Sequence, residues 1–389
     1  MSAQILEGVK VLDISHVVAA PSGAALLADF GADVIHTELP GEDEDPVSYK
    51  SKILNRGKRN ITLDFHKPGA AEIFQKLAQW ADVIIANFRP STLQRFHVDY
   101  EDALRVNPQI IYMAFSAYGR TGPNSDKPGY ARAMESYAGL TYLNGYPDRP
   151  PVFSGTWIAD GIGGYYIAYM VALALFHRER TGEGQLIDLG LYEPVFRLLD
   201  DVTLNYSLRG RVRERQGNAH VSSTPNSMYQ AADGVYIAMP VNSDAMFLRL
   251  CDAMEREDLR TDPRTQGMRA RNENRPFVDG EVQAWFSAHG SQEILALLDA
   301  HRVAAAPVNS VREIFEDAHI RARGSLIDIY DEDLGKDITV NGVCGVFSKT
   351  PGQIRWNGHR RGADNDEVYR ELLHLDDAAL EALRADGVI

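Results

Sequence analysis

The sequence predicts an α/β protein: a Rossmann-like, doubly wound parallel sheet joined to a second, smaller α+β domain. Three features carry this expectation. Short β-branched runs alternate with helical runs up to residue 115, a polar stretch with Arg209, Arg211, Arg213 and Arg215 interrupts the chain at 207–227, and strand patterns return beyond 325.

The elements follow in order. VKVLDI (9–14) reads as the first strand, PSGAALLADFG (21–31) as a helix of small residues, and DVIHT (33–37) as the next strand, which makes one βαβ unit. Strands follow at 60–63, 83–86 and 109–114, with helices at 72–80 and 99–106 between them. A helix at 161–180 leads into a turn and strand within 181–193. Beyond the polar stretch, residues 228–240 read as a hairpin around Asp233-Gly234, followed by helices near 243–256, 278–288 and 291–301. Strands at 326–331 and 337–347 and acidic helices at 365–386 close the chain. The expected division is a large domain of 1–200 plus 325–389, a small domain of 225–320, and linkers at 201–224 and 321–324.

Composition narrows the function. With 389 residues and 44% hydrophobic content the chain can bury two cores. A formal charge of −14 opposes nonspecific binding to nucleic acid or anionic membrane, so an anionic ligand must be met by local cations. The apolar run 165–176 is shorter than a bilayer span, no basic leader precedes the first strand, and Cys251 and Cys344 lack ligand spacing. The expectation is a cytoplasmic protein without a metal. The first strand-to-helix turn, SHVVAAPSG (15–23), has no glycine before Gly23, which disfavours a nicotinamide or flavin.

The stretch SGTWIADGIGGYY (154–166) sets one acid before three glycines. Asp160 suits a helix N-cap. It also suits a nucleophile beside its own oxyanion site, because Gly161, Gly163 and Gly164 weaken a helix start unless something approaches the backbone closely.

LEGVKVLDIS (6–15), LLADFGADVIHTE (26–38), NRGKRNITLD (55–64), ADVIIANFRPSTLQRF (81–96), NPQIIYMAFSAYGRTGP (107–123), PGY (128–130), IAD (158–160), TGEGQLIDLGLYE (181–193) and AAAPVNS (304–310) together resemble the class III CoA-transferases. That family includes formyl-CoA transferase, carnitine CoA-transferase and α-methylacyl-CoA racemase. The resemblance implies that Asp160 attacks a thioester and becomes in turn a mixed anhydride and an aspartyl-CoA thioester, with CoA thioesters as substrates and no prosthetic group. It implies CoA contacts at Val17, Val18, Ala19, Asn87, Phe88 and Arg95. Lys58 and Arg59 join them on charge grounds, and the amides of Gly161 to Gly164 are expected to help hold the oxyanion. It also implies an interlocked homodimer whose active sites form between large and small domains of different subunits.

Departures from the family shape the expectation. His36 and Leu39 stand where relatives often carry cations toward the adenine and 3′-phosphate, and Val18 stands where formyl-CoA transferase has glutamine. Tyr130 and Ala131 replace the histidine and aspartate of the racemase branch. A phenol of pKa near 10 is a poor base at neutral pH, so Tyr130 is expected to hydrogen-bond an acyl or CoA group instead. Glu135 either satisfies a buried backbone group or tunes the site, and His220 and Asp233 lie in a stretch where relatives place substrate-facing residues. The leading expectation is CoA transfer between short polar carboxylic acids. An acyl-CoA racemase or isomerase and a non-catalytic CoA-binding protein are the alternatives.

Overall fold

The computed structural model describes residues 4–41 and 50–389, which form two compact units, one from 4–41, 50–141, 153–211 and 318–389 and the other from 142–152 and 212–317. In the first unit six strands pair in parallel: β1 (Lys10–Asp13), β2 (Asp33–Glu38), β3 (Lys58–Thr62), β4 (Val83–Ala86), β5 (Ile111–Ser116) and β6 (Leu186–Gly190), in the order β3-β2-β1-β4-β5-β6. Strands covered on both faces need apolar side chains at nearly every position, and β4 and β5 are buried throughout. Alternate residues feed two cores. Leu12, Ile84, Tyr112 and Ala114 pack with Phe74 and Leu77 of α2 (Ala70–Trp80), whereas Val11, Ile85, Met113 and Phe115 pack with Ala24 and Leu27 of α1 (Ala19–Ala28) and Ile167 of a long helix, Ile158–Thr181.

That long helix starts earlier than the sequence suggested, and Asp160 lies inside its first turn. Trp157 offers no side-chain cap, and Glu135 from α5 (Ala131–Tyr137) serves instead by accepting the Ala159 N–H at 3.1 Å. Glycines let the helix lie directly on α1. A side chain at Gly23 would strike Ile167, one at Gly164 would sit on Ser22 Oγ, and one at Gly163 would press on Phe115 at 3.1 Å. The helix has 24 residues and an 18-residue window of mean hydropathy 1.4, so it exceeds the apolar run read from sequence and is long and apolar enough to cross a membrane. Its Gly163, Ile167, Val171 and Ala174 nevertheless belong to a packed core.

Residues 318–389 return to complete the first unit. β10 (Leu326–Asp331) and β11 (Lys336–Asn341) form an antiparallel pair, and helical segments Asp366–Leu372 and Asp377–Ala385 follow. This part of the chain covers the outer edge of β3. The N–H groups of Asn60 and Thr62 donate to Asp364 Oδ2 (2.6 Å) and Asn365 Oδ1 (2.9 Å), the Thr62 carbonyl accepts from the Tyr369 hydroxyl, and the Lys58 carbonyl accepts from Trp356 Nε1 (3.2 Å). An open edge is thereby closed by side chains.

The second unit holds β7 (Asn226–Gln230), β8 (Tyr236–Pro240) and β9 (Ala306–Pro307) in one antiparallel sheet. Helices Asp244–Ala253, Arg275–Ala288 and Ser291–Ala300 bury Phe247, Leu250, Phe286, Ile294 and Leu298 with Tyr229 and Ile237. The span read as the linker 201–224 contains a helix, Val202–Arg209. Asp233 is engaged within this unit, because its carboxylate accepts from Ser291 N–H (3.0 Å) and Ser291 Oγ (2.7 Å) at a helix start. His220 accepts through Nδ1 from Ser223 Oγ at 2.9 Å.

Candidate active site

Strand order reverses at β1, since β2 and β3 lie to one side and β4, β5 and β6 to the other. The carboxyl ends of β1 and β4 therefore border a crevice, the place where open α/β sheets receive ligands. A cleft of about 420 Å³ occupies it, formed by His16 to Ala19 after β1, Asn87 to Arg89 after β4, Phe115 to Ala117 at the end of β5, and Lys127 to Tyr130 ahead of α5. Asp160 and Leu191 complete the wall next to Phe115.

The first turn is strained and firmly held. Val17 has φ +68°, a left-handed conformation that costs a β-branched residue about 1–3 kcal/mol. Asn87 clamps the residue before it, accepting the His16 N–H at 2.9 Å and donating to the His16 carbonyl at 2.6 Å, while Phe88 meets the His16 ring edge-on. Beneath the turn lies a buried ionic knot. Asp13 Oδ2 pairs with Lys58 Nζ (2.8 Å) and His36 Nδ1 (2.9 Å), its other oxygen accepts from Ser15, and Lys58 also donates to the Pro21 carbonyl. Burial alone would raise the Asp13 pKa, but Lys58 and His36 outweigh it and hold the carboxyl well below the usual range.

Asp160 has the opposite electrostatics. It is 9% exposed, and among the described residues no hydrogen bond ties its carboxylate down. Burial, with the nearby Glu135 carboxylate adding to it, pushes its pKa up to about 6. An acid that is short of stabilising partners yet ionised at neutral pH is suited to nucleophilic attack.

The cleft brings together Asp160, Tyr130, Val17, Val18, Ala19, Asn87, Phe88 and Arg95, with Tyr130 exposed on its wall. Other expectations are corrected. Lys58 does not line the cleft: it is completely enclosed and its charge is committed to Asp13. Arg59 is likewise spent elsewhere, forked onto Asp33 and reaching Glu367 at 2.9 Å. His36 is buried in the same knot as Lys58, and Leu39 is exposed outside the cleft. Gly161, Gly163 and Gly164 lie beyond the first helical turn, where amides are used by the helix. The Gly161 N–H donates to the Trp157 carbonyl at 3.0 Å, so these amides are not free to hold an oxyanion, and it is Gly163 and Gly164 whose missing side chains allow close packing.

Sequence reasoning missed three polar residues on the cleft, two of them cations. His66, Arg89 and Lys127 line it beside Arg95, whose guanidinium lies 5.0 Å from the Phe96 ring centre. A signal was available for Arg89, which stands three residues past a parallel strand and directly before the proline that opens α3 (Pro90–Phe96). Lys127 is distant from any strand pattern and carried no such signal.

A sequence model described as CoA-transferase family III matches residues 6–365. Succinyl-CoA–D-citramalate CoA-transferase of Chloroflexus aurantiacus is 35% identical over 395 residues, covering 99% of this chain and 98% of its own length. The beta subunit of succinyl-CoA–L-malate CoA-transferase from the same organism is 36% identical, with 99% of this chain and 98% of the subunit covered. A crystal structure of a CaiB/BaiF family protein from Brucella suis superposes with a TM-score of 0.84 at 30% identity, spanning 95% of this chain and 100% of that one.

Proposed function

Because the chain belongs to CoA-transferase family III, an enzyme family that moves coenzyme A between carboxylic acids, we propose that it takes CoA from a short acyl-CoA and gives it to a short polar acid through Asp160. Succinyl-CoA as donor and a small dicarboxylic acid of the malate or citramalate kind as acceptor fit the relatives' activities. The observation that carries the reading is the position of Asp160: a buried, unbonded carboxylate on the wall of the cleft at the strand-order reversal.

The reaction runs in balanced steps. A carboxylate oxygen of Asp160 attacks the thioester carbonyl, and the C–S bond breaks to give a mixed anhydride and CoA thiolate. The thiolate adds to the aspartyl carbonyl and expels the donor acid as its carboxylate, leaving an aspartyl-CoA thioester. The acceptor carboxylate repeats both steps in reverse and restores Asp160. No net proton moves. Arg89, Arg95 and Lys127 supply the positive charge that CoA phosphates require on an acidic protein, and Tyr130 offers a hydroxyl to the acyl or pantetheine part.

The same proposal includes a homodimer. Tyr165, Tyr169, Leu173 and Phe176 recur at helical spacing on the long helix and are 56, 56, 48 and 57% exposed, an apolar stripe suited to a second copy of the chain.

The test is intact-protein mass spectrometry after incubation with succinyl-CoA, with hydroxylamine trapping and an Asp160→Ala control. A CoA-sized adduct that maps to Asp160 and is absent from the variant is expected. CoA binding without any adduct, across a panel of donors, would overturn the assignment.

A further inference from the structure

Glu135 is 1% exposed, projects from α5, and accepts the N–H of Ala159, the residue immediately before Asp160. Its second oxygen lies 3.4 Å from Ser154 Oγ, which also donates to the Thr156 carbonyl at 2.7 Å. One side chain thus spans the loop ahead of the long helix and the first turn of that helix. A neutral amide of the same shape could accept from Ala159 in the same way and, with the Ser154 proton given to the Thr156 carbonyl, donate to the Ser154 oxygen in place of the long contact, so hydrogen bonding alone does not call for an acid.

The chemistry assigned to Asp160 supplies a reason for the charge. Protonation, anhydride formation and thioester formation all convert the Asp160 carboxylate into a neutral group. A fixed negative charge nearby opposes the ionised state and leaves the neutral ones almost untouched, so whatever it does to the acid–base equilibrium it does in the same direction to acylation. We propose that Glu135 is a positioning residue that pins the first turn of the long helix and whose charge favours every state in which Asp160 has surrendered its own, the covalent CoA adduct included. This rests on Asp160 being the acylated residue.

The neighbouring ionisable groups differ in kind. His16 on the first turn, His66 after β3, Arg89 and Arg95 after β4, and Lys127 and Tyr130 ahead of α5 line the same cleft. Burial and Glu135 are the two influences that raise Asp160.

The experiment compares the full chain with Glu135→Gln and Glu135→Asp, using succinyl-CoA as the probe. The fraction of protein carrying the CoA adduct is read by intact mass, and the acid limb of kcat/KM is read across pH 4.5–8. Glu135→Gln is expected to cut the adduct-to-free ratio at least about threefold and to move the limb down by about half a unit or more, since a tenfold change corresponds to one unit. Glu135→Asp keeps the charge, so it retains the raised limb while kcat falls from lost anchoring. A wild-type limb and adduct ratio in Glu135→Gln overturns the inference, as does a limb that falls equally in both variants. Carbon-13 NMR of aspartate-labelled protein titrates the Asp160 carboxyl without any substrate. A midpoint unchanged by Glu135→Gln overturns the charge argument even if no acyl-CoA reacts, whereas a lowered midpoint in a protein that forms no adduct condemns the transfer reading and leaves the electrostatic one standing.

Discussion

At the scale of single residues, the burial of the Asp160 carboxylate costs the folded protein stability at neutral pH. Its folded pKa of about 6 lies above its ordinary 3.8, so the native protein holds that proton more tightly than the unfolded chain. The sign follows: stability falls as pH rises from about 4 to 6, and the full cost, about 1–3 kcal/mol, is present above 6. Asp160→Asn is therefore expected to melt at a higher temperature than wild type at pH 8, with the gap closing below pH 4, and scanning calorimetry at the two pH values checks this. That Asp160 stands at a helix start was legible in the sequence, because an acid followed by glycines is a local pattern; that it lines the cleft beside Phe115 depends on how distant elements pack. The fates of Lys58 and Arg59 were not. Both look like free cations in NRGKR, yet Lys58 turns into the sheet toward Asp13, 45 residues away, and Arg59 toward Asp33, 26 residues away. Only the pairing of β1, β2 and β3 brings those partners together.

At the scale of elements, the three glycines after Asp160 separate into different roles. Gly161 faces open space, so Gly161→Ala is expected to stabilise the protein by about 0.5–1 kcal/mol through helix propensity. Gly164 lies against Ser22 and the Ala19 carbonyl, and Gly164→Ala must push α1 away, an expected loss of about 2 kcal/mol or more. Urea melts of both variants test the contrast, and equal effects would contradict the packing described. The alternation of strands and helices, including the hairpin at Asp233-Gly234, could be read from period and turn chemistry. The start of the long helix could not, because its cap is Glu135, a side chain from another helix 24 positions earlier.

At the scale of the whole molecule, the exposed stripe on the long helix carries the association proposed for two chains. Tyr169→Lys with Phe176→Glu is expected to leave the fold intact and to halve the mass measured by light scattering. An unchanged mass would move the contact elsewhere. The parallel sheet was legible as a set of strands, whereas the closure of its edge was not, since Thr62 and Tyr369 are 307 positions apart and no local pattern links them. That separation matters during synthesis. At about 5–20 residues per second, a ribosome needs roughly 15–60 s to travel from one partner to the other. Throughout that interval the nascent chain displays a bare β3 edge, and before it ends the whole second unit has been made. A message cut short before codon 356 would yield a sticky sheet in need of chaperones, not a smaller working enzyme.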